Sequence, residues 1–565
     1  MVIRSDKFDD VYFSTDDGMA ETHHVFLNGN NLPKAWNDKA RFTIAETGFG
    51  TGLNFLCAWK LFDETAKAGQ KLHFISVEKY PLSKDDIRDA LAQWQDDLGN
   101  RIDRFLDLYP IRVPGPHQIH IADNVTLTIW FGDVADCIPE WQTPIDSWFL
   151  DGFTPTKNPD MWSESLFENM ARLSHSDTTL ATFTAAGFVR RGLETAGFDI
   201  QKTKGFGHKR DMVVGRYNGK PIVNSPQYKT IAIIGGGLAG CAIAYHAHRM
   251  GLNATIYEAG DTLASGASGG KLGMINPKLT AKPSPQADYY TASYANALRL
   301  LSQLDEIDFN VHGSLHLCTD DDKARRFRGY IDNLGWHDDH IYKKGDDLYY
   351  PDGASVSPEK LCHALSINAK IHSNKKIENL LTVDADIIVL ANGYAVNDLI
   401  DSDIEIPVST VRGQVSWIKP QHAIDKNICF GRYVTPLTSE GFHVLGASFQ
   451  PWEMDITLKD ADHQDNVDGY NATRNPHISM DDVIGGWAGF RTASKDRFPI
   501  VGHLRDNIFV STAHGSHGII SSMMAAQIIM ASATGTHMPA STSVLSSLSP
   551  LRFNRYGDKK QSHGK

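Results

Sequence analysis

Apolar runs and glycine turns punctuate the chain in a recurring order of strand, turn and helix. The run Phe42-Thr-Ile-Ala ends in Glu46, is followed by Gly48, Gly50 and Gly52, and opens into Leu53-Asn-Phe-Leu-Cys-Ala-Trp-Lys. The run Thr230-Ile-Ala-Ile-Ile passes through Gly235, Gly237 and Gly240 into Cys241-Ala-Ile-Ala-Tyr-His-Ala-His. Each pairs a short β-branched stretch with an apolar-rich helical pattern. Further strand-like runs end at Glu78 (after 73–77), at Gly132-Asp133 (after 125–131), at Asp151 (after 146–150) and at Glu258 (after 253–257). Later runs lie at 385–391 and 506–511, the second leading through Ala513-His-Gly-Ser-His-Gly518 into a helix. Alternating strands and helices predict two α/β units with parallel sheets. The Pro-, Asn- and Gly-rich stretch 218–227 is the natural boundary. It gives a first domain over 1–222, a linker over 223–228 and a second domain over 229–550. Residues 280–360 and 405–485 are less patterned and are expected to form an inserted α+β substrate domain. A basic tail, 551–565, is expected to be partly disordered.

The two glycine loops differ in spacing, and the spacing bears on the ligand. Glu46, Gly48, Gly50 and Gly52 alternate strictly. S-adenosylmethionine has no phosphate, so its loop need only let the backbone pass close to the methionine part. Glu78 is then placed to accept the ribose hydroxyls, and Asp133 to reach the adenine amine. These acids and Asp151 follow apolar runs, so they fall on the carboxyl edge of one parallel sheet, where ligands bind. Singly, each acid reads equally as a helix cap or a solvated turn. After Asp151 comes Gly-Phe153-Thr-Pro-Thr-Lys-Asn-Pro-Asp-Met-Trp162. A carboxylate with neighbouring carbonyls can accept the N–H groups of an amine and aim its lone pair at a methyl sulfonium. Phe153 and Trp162 are candidates to stack on a base.

Gly235, Gly237 and Gly240, with Glu258 about twenty residues on, make the full dinucleotide fingerprint. It does not by itself separate FAD from NAD. Three features favour FAD: the Gly/Ser loop carrying Ser268 and Gly269, the small-residue turn at Gly393, and the late loop with Gly515 and Gly518. The helix after that loop would place its N-terminus against negative charge on a reduced flavin. Arg491, after the glycine-aromatic run from Gly485, is the candidate to hold a substrate carboxylate by two parallel hydrogen bonds. Lys495 and Arg412 are second choices.

Composition narrows the picture. The 565 residues are 41% hydrophobic and 22% charged, ordinary for a globular protein. No apolar run approaches the roughly 20 residues of a membrane span, and the first residues lack the apolar core of a secretory signal. Six scattered cysteines without a CxxC pair suggest reduced thiols in the cytoplasm. The histidines show no paired ligand spacing, so no metal is expected. A net charge of -12 gives no general attraction to nucleic acid, so RNA would need local basic patches. Two exist. Arg190, Arg191, Lys202, Lys204, His208, Lys209 and Arg210 crowd the end of the first domain, and Arg552, Arg555, Lys559, Lys560 and Lys565 crowd the tail.

The motifs 150–162, 180–192 and 204–210, with the opening segments 10–14, 20–22 and 25–30, resemble the methyltransferase half of the bifunctional tRNA 5-methylaminomethyl-2-thiouridine biosynthesis proteins. The late segment Gly485 to Gly502 and the FAD features resemble the D-amino-acid oxidase family and the oxidase half of the same bifunctional proteins. The resemblance implies a Rossmann-like methyltransferase domain followed by a D-amino-acid-oxidase-like FAD domain with an inserted substrate domain. It also implies a substrate, the wobble uridine of certain tRNAs, met in the anticodon stem-loop by a monomer with no membrane partner. The carboxymethylaminomethyl form would be oxidised to the aminomethyl form, then methylated. The chemistry alone supports amine oxidation followed by N-methylation, because the first yields the primary amine that the second consumes. A fused enzyme acting on free glycine-like amines is the alternative, and a non-enzymatic nucleotide-binding module a second. Each half has its own glycine loop and core, so fragments 1–222 and 228–565 are expected to fold separately.

Overall fold

In a computed structural model the described residues are 4–5, 10–11, 17–152, 158–221, 228–400, 404–421, 423–451, 453–473 and 476–556. The chain divides into two compact units. The first comprises Met1–Ser225 with His537–Pro539, and the second Pro226–Thr536 with Ala540–Lys565.

The first unit is built on an eight-stranded sheet. Its order is Gly115–Ala122, Val125–Phe131, Lys71–Glu78, Arg41–Glu46, Ile145–Phe149, Ser174–Thr182, Asp211–Tyr217, Phe198–Lys204. The five strands from Val125–Phe131 to Ser174–Thr182 run parallel, and antiparallel strands close both edges. Both faces are apolar. Phe42 and Ile44 pack with Phe55, Phe74 and Trp36 on one face, while Ala45, Ile75, Trp130 and Trp148 pack with Phe167 and Met170 on the other. That double burial explains the near-continuous apolar runs. From Arg41–Glu46 the chain moves outward through Lys71–Glu78 to Val125–Phe131, then returns to the other side at Ile145–Phe149. The switch point therefore lies between the ends of Arg41–Glu46 and Ile145–Phe149, where open α/β sheets bind ligands.

His537 belongs to this unit although it lies near the end of the chain. Trp130 Nε1 donates to its Nε2 at 3.1 Å, and Gln118 Nε2 donates to its carbonyl at 3.2 Å. A fragment ending at residue 222 therefore lacks three residues of its own compact unit.

The second unit has a six-stranded sheet ordered Lys370–His372, Asn253–Tyr257, Thr230–Ile234, Ile387–Leu390, Ile508–Thr512, Ile500–Arg505. All but the last strand run parallel. Helix Leu238–Arg249 packs against Gly518–Thr534, which is buried along nearly its whole length. A nine-stranded sheet makes the second layer, with the long strands Val408–Ile418 and Val483–Ser494 paired antiparallel.

Arg412 stands inside this second layer with no solvent exposure. Its guanidinium meets Asp462 at 2.5 Å and donates to Gln450 and Gln414, each at 2.8 Å, and to the Thr457 carbonyl at 2.7 Å. Removing one partner of such a pair leaves an uncompensated buried charge. Asp462→Ala should destabilise the second unit by about 3–5 kcal/mol, read as a lower urea midpoint of the flavin-domain transition. A midpoint equal to the parent's would contradict this.

Candidate active sites

In the first unit, Gly50 (φ 53°) and Gly52 (φ 81°) take left-handed conformations that let the loop turn tightly into helix Leu53–Thr65. Glu78 ties that loop down, its carboxylate accepting the Gly50 N–H at 2.8 Å and the Tyr80 N–H at 2.8 Å. A valine at Gly50 would strain the backbone wherever its side chain went. Gly50→Val should abolish methyl transfer yet leave the yellow flavin absorbance of the purified protein intact; loss of flavin would contradict the assignment of the two loops.

Glu46 is fully buried. Its Oε1 accepts from Asn54 Nδ2 at 3.0 Å and its Oε2 from Ser76 Oγ at 2.7 Å. Burial, reinforced by the nearby Asp151, pushes its carboxyl well above the usual range. Asp151 lies across the switch point. Its Oδ1 accepts the Gly152 N–H at 2.8 Å and its Oδ2 the Asn54 amide at 2.7 Å, while Thr47 Oγ1 donates to its carbonyl at 2.6 Å. Burial pushes the Asp151 carboxyl up to about 6, with Glu21 adding to the rise and the Gly152 N–H, Asn54 and Lys209 opposing it. Asp133 caps the short helix Val134–Cys137 through the Ala135 N–H at 2.9 Å and pairs with Lys79. That is the capping alternative noted for a lone acid. Gly48 sits beside Asp151 and Gly152. Phe153 to Lys157 lie outside the described residues. Trp162 is buried against Phe183, edge to face at 6.2 Å.

The basic residues of this unit fall near one another. Arg190 and Arg191 lie on helix Gly187–Thr195, Lys204 ends a strand, and Lys209 and Arg210 precede the next. Arg191, Lys204, Lys209 and Arg210 are exposed. Lys209 pairs with Glu21 at 2.9 Å and stands 4.2 Å above the Phe183 ring. In the tail, Arg552 is bound internally to Asp496 and to the Phe498 and Pro499 carbonyls. It therefore acts as a strut and is not a free cation. Lys559, Lys560 and Lys565 lie outside the described residues.

In the second unit the glycines have distinct reasons. A Cβ at Gly235 (φ 112°) would lie 2.5 Å from the Ala391 carbonyl oxygen, and one at Gly240 would collide with the Gly235 carbonyl. Turn, strand end and helix thus meet at van der Waals distance. Gly237 caps helix Leu238–Arg249 without a side chain of its own, which suits a pyrophosphate. Ser268 Oγ accepts the Leu238 N–H at 3.0 Å. Glu258 accepts the Gly236 N–H at 2.6 Å and the Gly260 N–H at 2.7 Å. Gly269 lies beside Trp487, Gly393 (φ 62°) beside Thr492, and Gly515 (φ 59°) in open space. Gly518 opens helix Gly518–Thr534, whose N-terminus also has no side-chain cap. These residues form a cradle that fits FAD.

Arg491 lies half-buried on strand Val483–Ser494, directly over Gly413, which has no Cβ to obstruct it. Among the described residues no carboxylate pairs with it. Burial lowers its pKa and Tyr433 opposes the shift. Lys278 stands 5.0 Å from the Tyr290 ring and donates to the Arg497 carbonyl at 3.1 Å. His517, 5.6 Å from Tyr290, is pushed down to about 3 by burial, with Lys278, Arg491 and His316 adding to the shift. It is neutral at physiological pH. Lys278 and His517 were not singled out from the sequence, although His517 lies in the glycine loop already noted. Lys495 is exposed, and Arg412 is sealed by Asp462, so neither second choice matches the freedom of Arg491.

The model of the S-adenosyl-L-methionine-dependent methyltransferase family matches residues 97–218, and that of the FAD dependent oxidoreductases matches 230–532. The tRNA 5-methylaminomethyl-2-thiouridine biosynthesis bifunctional protein MnmC of Marinomonas sp. is 33% identical over 97% of this chain and 95% of its own length. The protein of the same name from Methylobacillus flagellatus is 35% identical over 97% of this chain and 93% of its own. The chain belongs to the MnmC family. Like other MnmC proteins it joins an S-adenosylmethionine-dependent methyltransferase and an FAD-dependent oxidoreductase in one polypeptide. Glycine oxidase from Geobacillus kaustophilus aligns with 58% of this MnmC chain and 99% of its own, at 20% identity and a TM-score of 0.48.

Proposed function

We propose that this chain converts the 5-carboxymethylaminomethyl group of a tRNA wobble uridine first to aminomethyl and then to methylaminomethyl. When bound, FAD supplies a hydride acceptor for the carbon beside the amine nitrogen, and S-adenosylmethionine supplies the methyl group. The residues supply recognition and proton handling. In the second unit Arg491 holds the glycine-like carboxylate by a bidentate pair. Neutral His517 and Tyr433 line that position without competing for the anion. Hydrolysis of the oxidised C–N bond releases glyoxylate and leaves the primary amine.

In the first unit Glu78 and the Glu46–Gly52 loop hold the methyl donor, and Asp133 stands at its adenine end. Asp151 accepts an N–H of the aminomethyl group and turns its lone pair toward the methyl. Arg190, Arg191, Lys204, Lys209 and Arg210 receive RNA phosphates, and Lys209 already faces Asp151. A single juxtaposition supports the proposal: one chain holds a cation with no carboxylate partner among the described residues, Arg491, and a half-buried carboxylate hydrogen-bonded once through each oxygen among those residues, Asp151. The product of the first site is the substrate of the second.

The test is a gel shift and turnover assay with tRNA against sarcosine and free glycine as competitors. Binding to tRNA should weaken steeply with salt as phosphate contacts release counterions. Turnover of the free amines at rates equal to tRNA would favour a small-molecule enzyme instead.

A further inference from the structure

Between Glu46 and Asp151 stands Asn54, the second residue of helix Leu53–Thr65 and almost fully buried. Its amide nitrogen has two hydrogens. One goes to Glu46 Oε1 at 3.0 Å and the other to Asp151 Oδ2 at 2.7 Å. Its Oδ1 accepts the hydroxyl of Thr22, also buried, at 2.7 Å. The two carboxyl groups fix which way the amide faces, because a flipped amide would set its carbonyl oxygen against their oxygens, and the Thr22 hydroxyl braces the amide from the other side. Asn54 therefore has no donor to spare.

The consequence falls on Asp151. Among the described residues each of its oxygens takes one hydrogen bond, Oδ1 from Gly152 and Oδ2 from Asn54. A carboxylate oxygen accepts two, so one acceptor position on each remains for an incoming amine. Glu46 is bonded in the same way, once through each oxygen, to Asn54 and Ser76, but unlike Asp151 it has no solvent exposure, so it acts on the site through Asn54. We propose that Asn54, braced by Thr22 and anchored on Glu46, is the positioning residue of methyl transfer. It holds the Asp151 carboxylate ionised and turned toward the acceptor nitrogen. This rests on the assignment of Asp151 as the amine acceptor.

The readout is the acid limb of the methylation pH profile. Asp151 must be ionised to accept an N–H, so activity falls as pH drops through its pKa. The titratable groups facing it are Glu46 from the neighbouring strand, Glu21 from the short helix Gly18–Thr22, and Lys209 from the loop after Phe198–Lys204; Glu78 faces Glu46 in turn. Removing the Asn54 amide takes a hydrogen bond from the charged form and leaves the acidic neighbours in place. The proton is then held more tightly.

Asn54→Ala should lower methylation kcat at least ~10-fold and move the acid limb upward by about one pH unit. Thr22→Val, which removes only the hydroxyl and keeps the shape, should shift the limb in the same direction by less. Oxidation by the same preparations serves as the control for folding and should be unchanged. An acid limb that stays at the parent's position in Thr22→Val, and in Asn54→Ala if that variant folds, would overturn the proposal. A parent enzyme with no acid limb, or Asp151→Asn with full activity, would overturn the assignment of Asp151 itself. The two failures are therefore distinguishable.

Discussion

Asp151→Ala should cut methylation of aminomethyl-uridine tRNA at least ~100-fold, the usual scale for a positioned acid–base group. Oxidation by the second unit should continue, so aminomethyl-uridine should accumulate even with S-adenosylmethionine present. Affinity for S-adenosylmethionine should change little, because the proposal places the methyl donor on the glycine loop and Glu78. The parent profile should also have a sign. With the Asp151 carboxyl raised to about 6, methylation should be full above that pH and fall as pH drops through it. Single-turnover methyl transfer at several pH values measures both effects. Turnover near the parent's at every pH would remove Asp151 from the active site.

Arg491→Lys should lose most oxidation with flavin retained. A lysine keeps the charge but not the planar fork, and cannot make two parallel hydrogen bonds to one carboxylate. Hydrogen bonds to charged groups contribute about 1.5–3 kcal/mol each. Losing one of the pair should therefore lower kcat/KM for glyoxylate release by roughly 10–100-fold. The flavin spectrum should be unchanged, because the proposed cradle of Gly235, Gly240, Glu258 and their neighbours does not include Arg491. Normal oxidation in this variant would mean the carboxylate has another partner, with Lys278, which also acts on His517, a candidate.

The parts of both sites that depend on local chain geometry were legible in the sequence. A strand, a glycine turn and a helix occupy contiguous residues, and the acids Glu46, Glu78, Asp133 and Asp151 end apolar runs that can only be strands. Their position on one sheet edge followed from the parallel arrangement. What each acid does was less legible, because it depends on partners far along the chain. Glu46 reads as a cofactor ligand until it is seen without solvent exposure, bonded to Ser76 and Asn54. Asp133 shares its carboxylate with Lys79 and a helix end. Asn54 itself is hidden in an apolar helical run, where nothing local distinguishes it from a solvated polar residue.

The same holds for the arginines. By sequence Arg491 is the candidate and Arg412 a second choice, and nothing local excludes the latter. Asp462, fifty residues beyond Arg412, excludes it by taking its guanidinium, while no carboxylate among the described residues pairs with Arg491. The antiparallel edge strand Gly115–Ala122 and the His537 contact with Trp130 were likewise invisible, since each is set by a tertiary partner and not by its own pattern.

The most direct measurement is nucleoside mass spectrometry of tRNA carrying 5-carboxymethylaminomethyl-uridine after incubation with the purified protein, with glyoxylate measured alongside. Without S-adenosylmethionine, aminomethyl-uridine and glyoxylate should appear in equal amounts. With it, methylaminomethyl-uridine should replace the aminomethyl form. Release of glyoxylate from free glycine derivatives with the tRNA nucleosides untouched would contradict a tRNA-directed pair of reactions.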